Sequence, residues 1–226
     1  MVPRVRISVV IPALNEAGDV ENAIRSAAGP GVEVVVVDGG SEDPTVARAE
    51  AAGARVVRSP PGRARQLERG RLAATGEAVL FLHADSRLPE GFAAAVRTAL
   101  ADPRVVGGAF GLRFDGSAPL LRVLEWGVRL RVRLFRLPYG DQGIFARRAA
   151  LEALGGVPQA AIMEDLDLVR GLQRRGRFAN LTLPTVTSAR RYASRGVLRT
   201  LFRNQLASLA WALGVDRARV AAWYRQ

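Results

Sequence analysis

The chain has 226 residues, 49% of them hydrophobic and 24% charged, which suits one packed domain and is too apolar for a disordered one. There is no cysteine and a single histidine, His83. Disulfides, thiolate sites and His-rich zinc centres are therefore excluded, and any metal must rest mainly on oxygen donors, which favours manganese or magnesium. The net charge of +12 is carried entirely by arginine, with no lysine anywhere; it reads first as solvation and codon bias, second as an anionic substrate or membrane surface, and only last as nucleic acid.

In chain order, Met1 to Arg4 lead directly into a strand, Ile7 to Ile11, followed by a helix from Ala17 to Ala28. Val32 to Val37 is an almost wholly apolar strand. A helix from Pro44 to about Ala52 follows, with proline suited to its first turn. Ala54 to Arg58 is a third strand, Ala64 to Thr75 a helix and Ala78 to Leu82 a fourth strand. Continuous Val/Ile/Leu runs alternating with helices predict a mainly parallel, Rossmann-related α/β sheet buried on both faces. The second half is less regular: a strand over Val105 to Phe114, a long helix over Pro119 to Leu137, and a short strand over Gly143 to Arg147. A helix begins near Glu164, and two C-terminal helices run around Gly196 to Leu213 and Arg217 to Tyr224. One domain is expected, with a nucleotide-binding half over about 1–102, an acceptor-side half over about 103–195 and C-terminal helices over about 196–226. No signal peptide and no run of about 18 apolar residues is seen, so a cytoplasmic location is expected, with attachment to the inner membrane face left open.

Sheets of this kind bind ligands beyond the carboxyl ends of their strands, and the polar clusters fall there. Asn15-Glu16 follows the first strand and Asp38-Gly39-Gly40-Ser41 the second; Gly62-Arg63-Ala64-Arg65-Gln66 follows the third and His83-Ala84-Asp85 the fourth. Asp38 can accept hydrogen bonds from a base or ribose, and the glycines allow close backbone approach; Ser41 and Asp43 serve equally as caps of the next helix. Asn15 and Glu16 read either as helix-start residues or as nucleotide contacts. Asp85 is placed to hold a metal, with His83 pointing the same way two residues earlier; a helix cap is the alternative. Glu164-Asp165-Leu166-Asp167 either complements a helix dipole or supplies a general base, Asp165, oriented by its neighbours. Gly140-Asp141-Gln142-Gly143 looks like a tight loop around a ligand, and Arg190-Arg191-Tyr192 like an anion clamp or a surface pair. There is no G-x-G-x-x-G after the first strand and no Walker lysine, which disfavours simple dehydrogenases and P-loop kinases.

Together, Val10 to Glu16, Val37 to Asp43, Phe81 to Asp85 and Met163 to Asp165 resemble the family 2 glycosyltransferases of the GT-A fold, in order and spacing, over roughly Ile7 to Tyr192. Gly62 to Gln66, Tyr139 to Phe145, Ile162 to Asp165 and Ser188 to Tyr192 look like a narrower branch, the radical-SAM/selenodomain-associated transferases. The resemblance implies a metal-assisted, inverting transfer of one sugar, such as a hexose, from a nucleoside diphosphate sugar to an acceptor hydroxyl. A UDP-sugar is favoured over GDP- or TDP-sugars. Pro12, Asn15, Glu16, Asp38, Gly39, Ser41, Arg65, Ala84 and Arg191 would bind the donor. Asp85, with His83 in place of the first acid of D-x-D, would bind Mn2+ or Mg2+. Asp165 would deprotonate the acceptor beside Glu164, with Gln142 and Gly143 on the acceptor side. No Gln-x-x-Arg-Trp follows Asp165, which points to non-processive addition.

The acceptor is expected to be a small molecule or a lipid, with a homodimer left open and no nucleic acid partner. Arg122, Arg129, Arg133 and Arg136 fall on one stripe of the long helix, beside Leu121, Leu124, Trp126, Val128, Leu130, Val132, Leu134 and Phe135. That pattern suits a helix at a membrane interface, or one packed on the sheet or against a second copy. Rival readings are a nucleotidyltransferase that makes the activated sugar and a non-catalytic membrane-surface adaptor that keeps the fold.

Overall fold

A computed structural model describes residues 5–190 and 197–225. Its centre is one eight-stranded sheet in the order β3-β2-β1-β4-β7-β6-β8-β5. The strands are β1 (Ile7–Ala13), β2 (Val32–Asp38), β3 (Arg55–Arg58), β4 (Ala78–Phe81), β5 (Ser86–Arg87), β6 (Val105–Phe114), β7 (Ile144–Arg147) and β8 (Arg177–Thr187). β3, β2, β1 and β4 are parallel, β7 runs against both β4 and β6, and β8 lies parallel to β6. The ends of β1, β2, β3, β4, β6 and β8 therefore share one edge of the sheet. The expected mainly parallel α/β architecture is observed; β7, and β5 at the edge against β8, reverse the sense.

The helices are α1 (Val20–Ala27), α2 (Thr45–Ala51), α3 (Arg63–Ala73), α4 (Phe92–Ala99), α5 (Pro119–Phe135), α6 (Arg148–Leu154), α7 (Glu164–Gln173), α8 (Val197–Ala212) and α9 (Arg217–Arg225). Strand alternation sends Ile7, Val9 and Ile11 into a core with α1 and α4, while Val10, Val35 and Val37 meet α3, α6 and α7 on the other face. Gly70 on α3 lets that helix lie on the sheet, since a Cβ there would sit 2.2 Å from Val10 Cγ1. A third cluster, Leu112, Phe114, Leu121 and Leu124, seats α5 on β6, with Leu201 of α8 against it.

Most expected elements are present with ends moved by a few residues. Three were not anticipated: α6, the two-residue β5, and the pairing of β8 with β6 through two register shifts. Gly196, at the expected start of α8, lies outside the described residues.

Candidate active site

The carboxyl edge holds a pocket of about 110 Å³ whose walls include Arg63, His83, Asp85, Tyr139, Gly140 and Asp165. His83 and Asp85 follow the end of β4 in a turn closed by Ser86 N–H to His83 O at 3.1 Å. Between them Ala84, expected to contact the donor, is only 4% exposed and its methyl packs in the core. Phe114 and Thr187, the last residues of β6 and β8, complete the wall.

Asp165 comes from the first turn of α7, behind Met163, whose φ of 62° is left-handed in a non-glycine residue. Such backbone costs on the order of 1–3 kcal/mol and gathers at functional sites. The Asp165 carboxylate is oriented by two backbone donors, Gly140 N–H at 2.7 Å and Leu166 N–H at 3.0 Å. A Cβ on Gly140 would lie 2.8 Å from His83 Nε2 and 3.1 Å from Asp165 Oδ2. The missing side chain leaves room for the Gly140–Gln142 turn to pass close to those two groups.

The neighbouring acids have other duties. Glu164, expected beside the base, is 2% exposed and ion-paired to Arg63, so it anchors the guanidinium. Burial pulls the Arg63 pKa down, but the charges of Glu164 and Asp165 and the Glu164 hydrogen bond outweigh it, raising it above its ordinary value. Arg63 is thus a fixed cation at the pocket. Asp167 accepts from Trp211 Nε1 at 2.7 Å and pairs with Arg217 at 3.2 Å, tying α8 and α9 to α7. Those C-terminal helices close the pocket with Asn204 and Tyr224, joined at 2.6 Å.

Several expected contacts fall elsewhere. Arg65 is exposed and does not line the pocket, whereas Arg63 does; two residues on a helix are about 200° apart, so only one can face inward. Gln142 is 2% exposed; its Oε1 accepts from Arg131 and from Tyr139 N–H, and its Nε2 donates to Phe110 O. It braces the turn and does not meet an acceptor. Gly143, at φ 60°, ends the same turn.

Asp38 stands outside the pocket, two strands away. Its carboxylate accepts Gly40 N–H and Ser41 N–H, each at 3.1 Å, and so shapes its own loop. That loop is stitched to the one after β1: Asn15 N–H donates to Ser41 Oγ, Glu42 N–H to Asn15 Oδ1, and Glu16 N–H to Thr45 Oγ1. Gln66 Nε2 donates to Ala13 O and Val37 O, closing the two strand ends, and Gly39 packs on that amide. Pro12 is half-buried at the end of β1. Arg190, at the end of β8, pairs with Glu16 at 3.1 Å and Asp19 at 3.2 Å and feels the charge of Asp85. The expected donor residue Arg191, with Tyr192, lies outside the described residues. The helix-cap reading holds at α2, where Asp43 Oδ1 accepts Thr45 N–H at 3.0 Å, whereas no side-chain cap bond is made by the residues that open α1, α4 and α7.

Among the described residues there is no group of three or more His, Asp or Glu side chains able to hold a metal alone. Asp85 and His83 supply at most two donors. That fits a hard cation which keeps several waters and binds through one or two carboxylates plus substrate phosphates.

Glycosyl transferase family 2 matches residues 8–155. The chain belongs to that family. Glucosyl-3-phosphoglycerate synthase of Mycobacterium tuberculosis is 40% identical over 92 residues, 35% of this chain and 28% of the relative; its counterpart in Mycolicibacterium smegmatis is 40% identical over 92 residues, 35% of this chain and 30% of the relative. The matched stretch thus spans less than a third of these relatives' length. In solved structures, the M. tuberculosis synthase in complex with Mn2+, uridine diphosphate and glucosyl-3-phosphoglycerate aligns with a TM-score of 0.67 at 27% identity, over 94% of this chain and 81% of that one. TarS of S. aureus aligns at 0.68 and 17% identity, over 81% of this chain and 60% of that one, a likeness of fold. The family match ends before Asp165, so that residue's place rests on the pocket.

Proposed function

We propose that the chain moves one sugar from a nucleoside diphosphate sugar, a UDP-sugar first, to an acceptor hydroxyl with inversion and without processive extension. The reading is carried by one observation: Asp85 and Asp165, from segments 80 residues apart, line a single pocket with His83 and the fixed cation Arg63. Support comes from the family membership and from relatives whose structures hold UDP with Mn2+ or Mg2+. Within the family we assign the chain to the radical-SAM/selenodomain-associated branch, on the segments that resemble it. The nucleotidyltransferase and adaptor readings have no comparable support.

In this mechanism Asp165 accepts the proton of the acceptor hydroxyl as its oxygen attacks the anomeric carbon opposite the leaving diphosphate. Gly140 N–H and Leu166 N–H hold the carboxylate at the angle it needs. Asp85, with His83, would hold Mn2+ or Mg2+, which when bound neutralises charge building on the diphosphate. Arg63 adds a second positive charge at the same pocket. The loops bearing Asn15, Glu16, Asp38 and Ser41, interlocked by hydrogen bonds, form the nucleoside side. The acceptor is a hydroxylated small molecule or a lipid; the phosphoglycerate of the relatives is the first small molecule to try.

The test is nucleotide release from UDP-, GDP- and TDP-sugars, with Asp165→Asn as the variant. Loss of general-base help should lower turnover by about 10²–10⁴-fold while donor affinity holds. A wild-type rate in Asp165→Asn, or release of pyrophosphate in place of the nucleoside diphosphate, refutes it.

A further inference from the structure

On the face away from the pocket, α5 presents a feature the transfer reaction does not use. Val123, Trp126, Leu130 and Leu134 form a stripe along the helix and are 61%, 60%, 38% and 62% exposed. Arg129 and Arg133 lie on the helix surface between that stripe and a groove of about 640 Å³ beneath α5, where Arg113 joins them from β6. None of these three arginines has an acidic partner among the described residues. The groove meets, at Asn180, a second hollow of about 950 Å³ walled by Arg136, Arg170 and Arg174 among others. The one acid in either lining is Glu125, which is 6% exposed and ion-paired to Arg122.

We infer that this face docks on an anionic lipid bilayer, with the α5 stripe at the level of the headgroups and the arginine belt on the lipid phosphates. An amphipathic helix with an aromatic residue in its apolar face and arginines beside it binds interfaces by adding buried apolar area to electrostatic attraction. A second copy of the chain is the poorer match: a twofold contact would set arginine against arginine with no accessible acid between them. A nucleic acid would satisfy the arginines and leave the aliphatic stripe in water. No helix among the described residues is long and apolar enough to cross a membrane, so the contact is peripheral. The groove backs on Gln142, which braces the turn carrying Gly140 into the pocket.

The test is flotation with vesicles of phosphatidylcholine alone and of phosphatidylcholine mixed with phosphatidylglycerol, at low and high salt. The full chain should float with the anionic vesicles, less so in high salt, and not with the neutral ones. Arg129→Gln with Arg133→Gln should weaken partition about 25-fold, roughly fivefold per arginine. Trp126→Ser with Leu134→Ser should weaken it at least about tenfold. Melting temperatures report whether each variant is folded, and the salt and lipid dependence of the unaltered chain stands without them. Failure of the unaltered chain to float with anionic vesicles overturns the inference. Equal flotation of the Trp126→Ser/Leu134→Ser variant also does, as does preferential capture by duplex RNA insensitive to that variant. Donor turnover without vesicles should be unchanged in all four substitutions, so the result is independent of the transfer reaction itself.

Discussion

Replacing Gly140 with alanine probes the pocket more sharply than removing a charged group. Its φ is not in the left-handed region, so the backbone accepts a side chain without strain. The added methyl would lie 2.8 Å from His83 Nε2 and 3.1 Å from Asp165 Oδ2, where ordinary contact begins at 3.4 Å. The imidazole must therefore retreat by roughly 0.6 Å and the carboxylate by about half that. Both are side-chain ends, so the fold absorbs the shift cheaply, while the Gly140 N–H bond that aims Asp165 is bent out of line. Misplacement of a reacting group by about 1 Å costs on the order of 10²-fold in rate; the smaller shift here should cost about tenfold in kcat, near 1.4 kcal/mol of barrier. Steady-state release of UDP from UDP-glucose measures this, with thermal unfolding run alongside. A Gly140→Ala variant with unaltered kcat and an unaltered melting temperature would show that neither His83 nor Asp165 is near the reacting atoms.

Asp85→Ala should weaken donor binding in the presence of Mn2+ and leave metal-free binding unchanged; isothermal titration with and without the metal distinguishes the two, and identical affinities refute the assignment. Gln66→Ala removes the donor that closes β1 and β2 at Ala13 O and Val37 O; Ala13 O keeps Gly39 N–H at 2.9 Å, so stability should fall by about 0.5–1.5 kcal/mol per lost hydrogen bond in urea unfolding. Stability should also fall in acid. Burial raises the Glu33 and Glu68 pKa values, but hydrogen bonds, from Ser8 and Thr75 and from Arg71 respectively, outweigh it. Asp43 is lowered by its hydrogen bond to Thr45, and Asp102 reaches about 2 through hydrogen bonds from Arg104. Each folded-state value lies below the unfolded one, so the contribution is complete above about pH 4.5 and is lost as pH falls through the depressed values toward 2. A melting temperature that rises between pH 5 and pH 3 contradicts this.

The first half was legible because its chemistry repeats a simple pattern: an apolar run ends, and a polar residue stands at the ligand edge. Asp85 and the stitched loops of Asn15 and Ser41 follow from that rule. Helical phase was harder. Arg63, Leu67 and Gly70 share one face of α3, and Arg65, which the resemblance singled out, lies about 200° from Arg63 on the helix. Gln142 read as an acceptor contact because nothing local announces its partners, Phe110 O and Arg131, which lie 32 and 11 residues away. β8 pairs with β6 across two register shifts, so its alternation is broken where a sequence pattern would be sought. Met163 gives no local sign of its left-handed backbone either, since methionine has no preference for that region.

The three acids opening α7 show how one short segment organises the second half. Dipole complementation alone would make Glu164, Asp165 and Asp167 interchangeable, yet each reaches a different part of the molecule. Glu164 fixes Arg63 of α3 on the donor side, Asp165 meets the Gly140 turn, and Asp167 holds Trp211 and Arg217 of the C-terminal helices. α7 therefore joins the conserved-fold half, which the family match covers to residue 155, to the walls that Asn204 and Tyr224 supply. Acceptor choice would then reside in the part of the second half beyond residue 155, where the family match stops. Exchanging α8 and α9 side chains should alter which hydroxyl is taken while leaving the donor nucleotide the same.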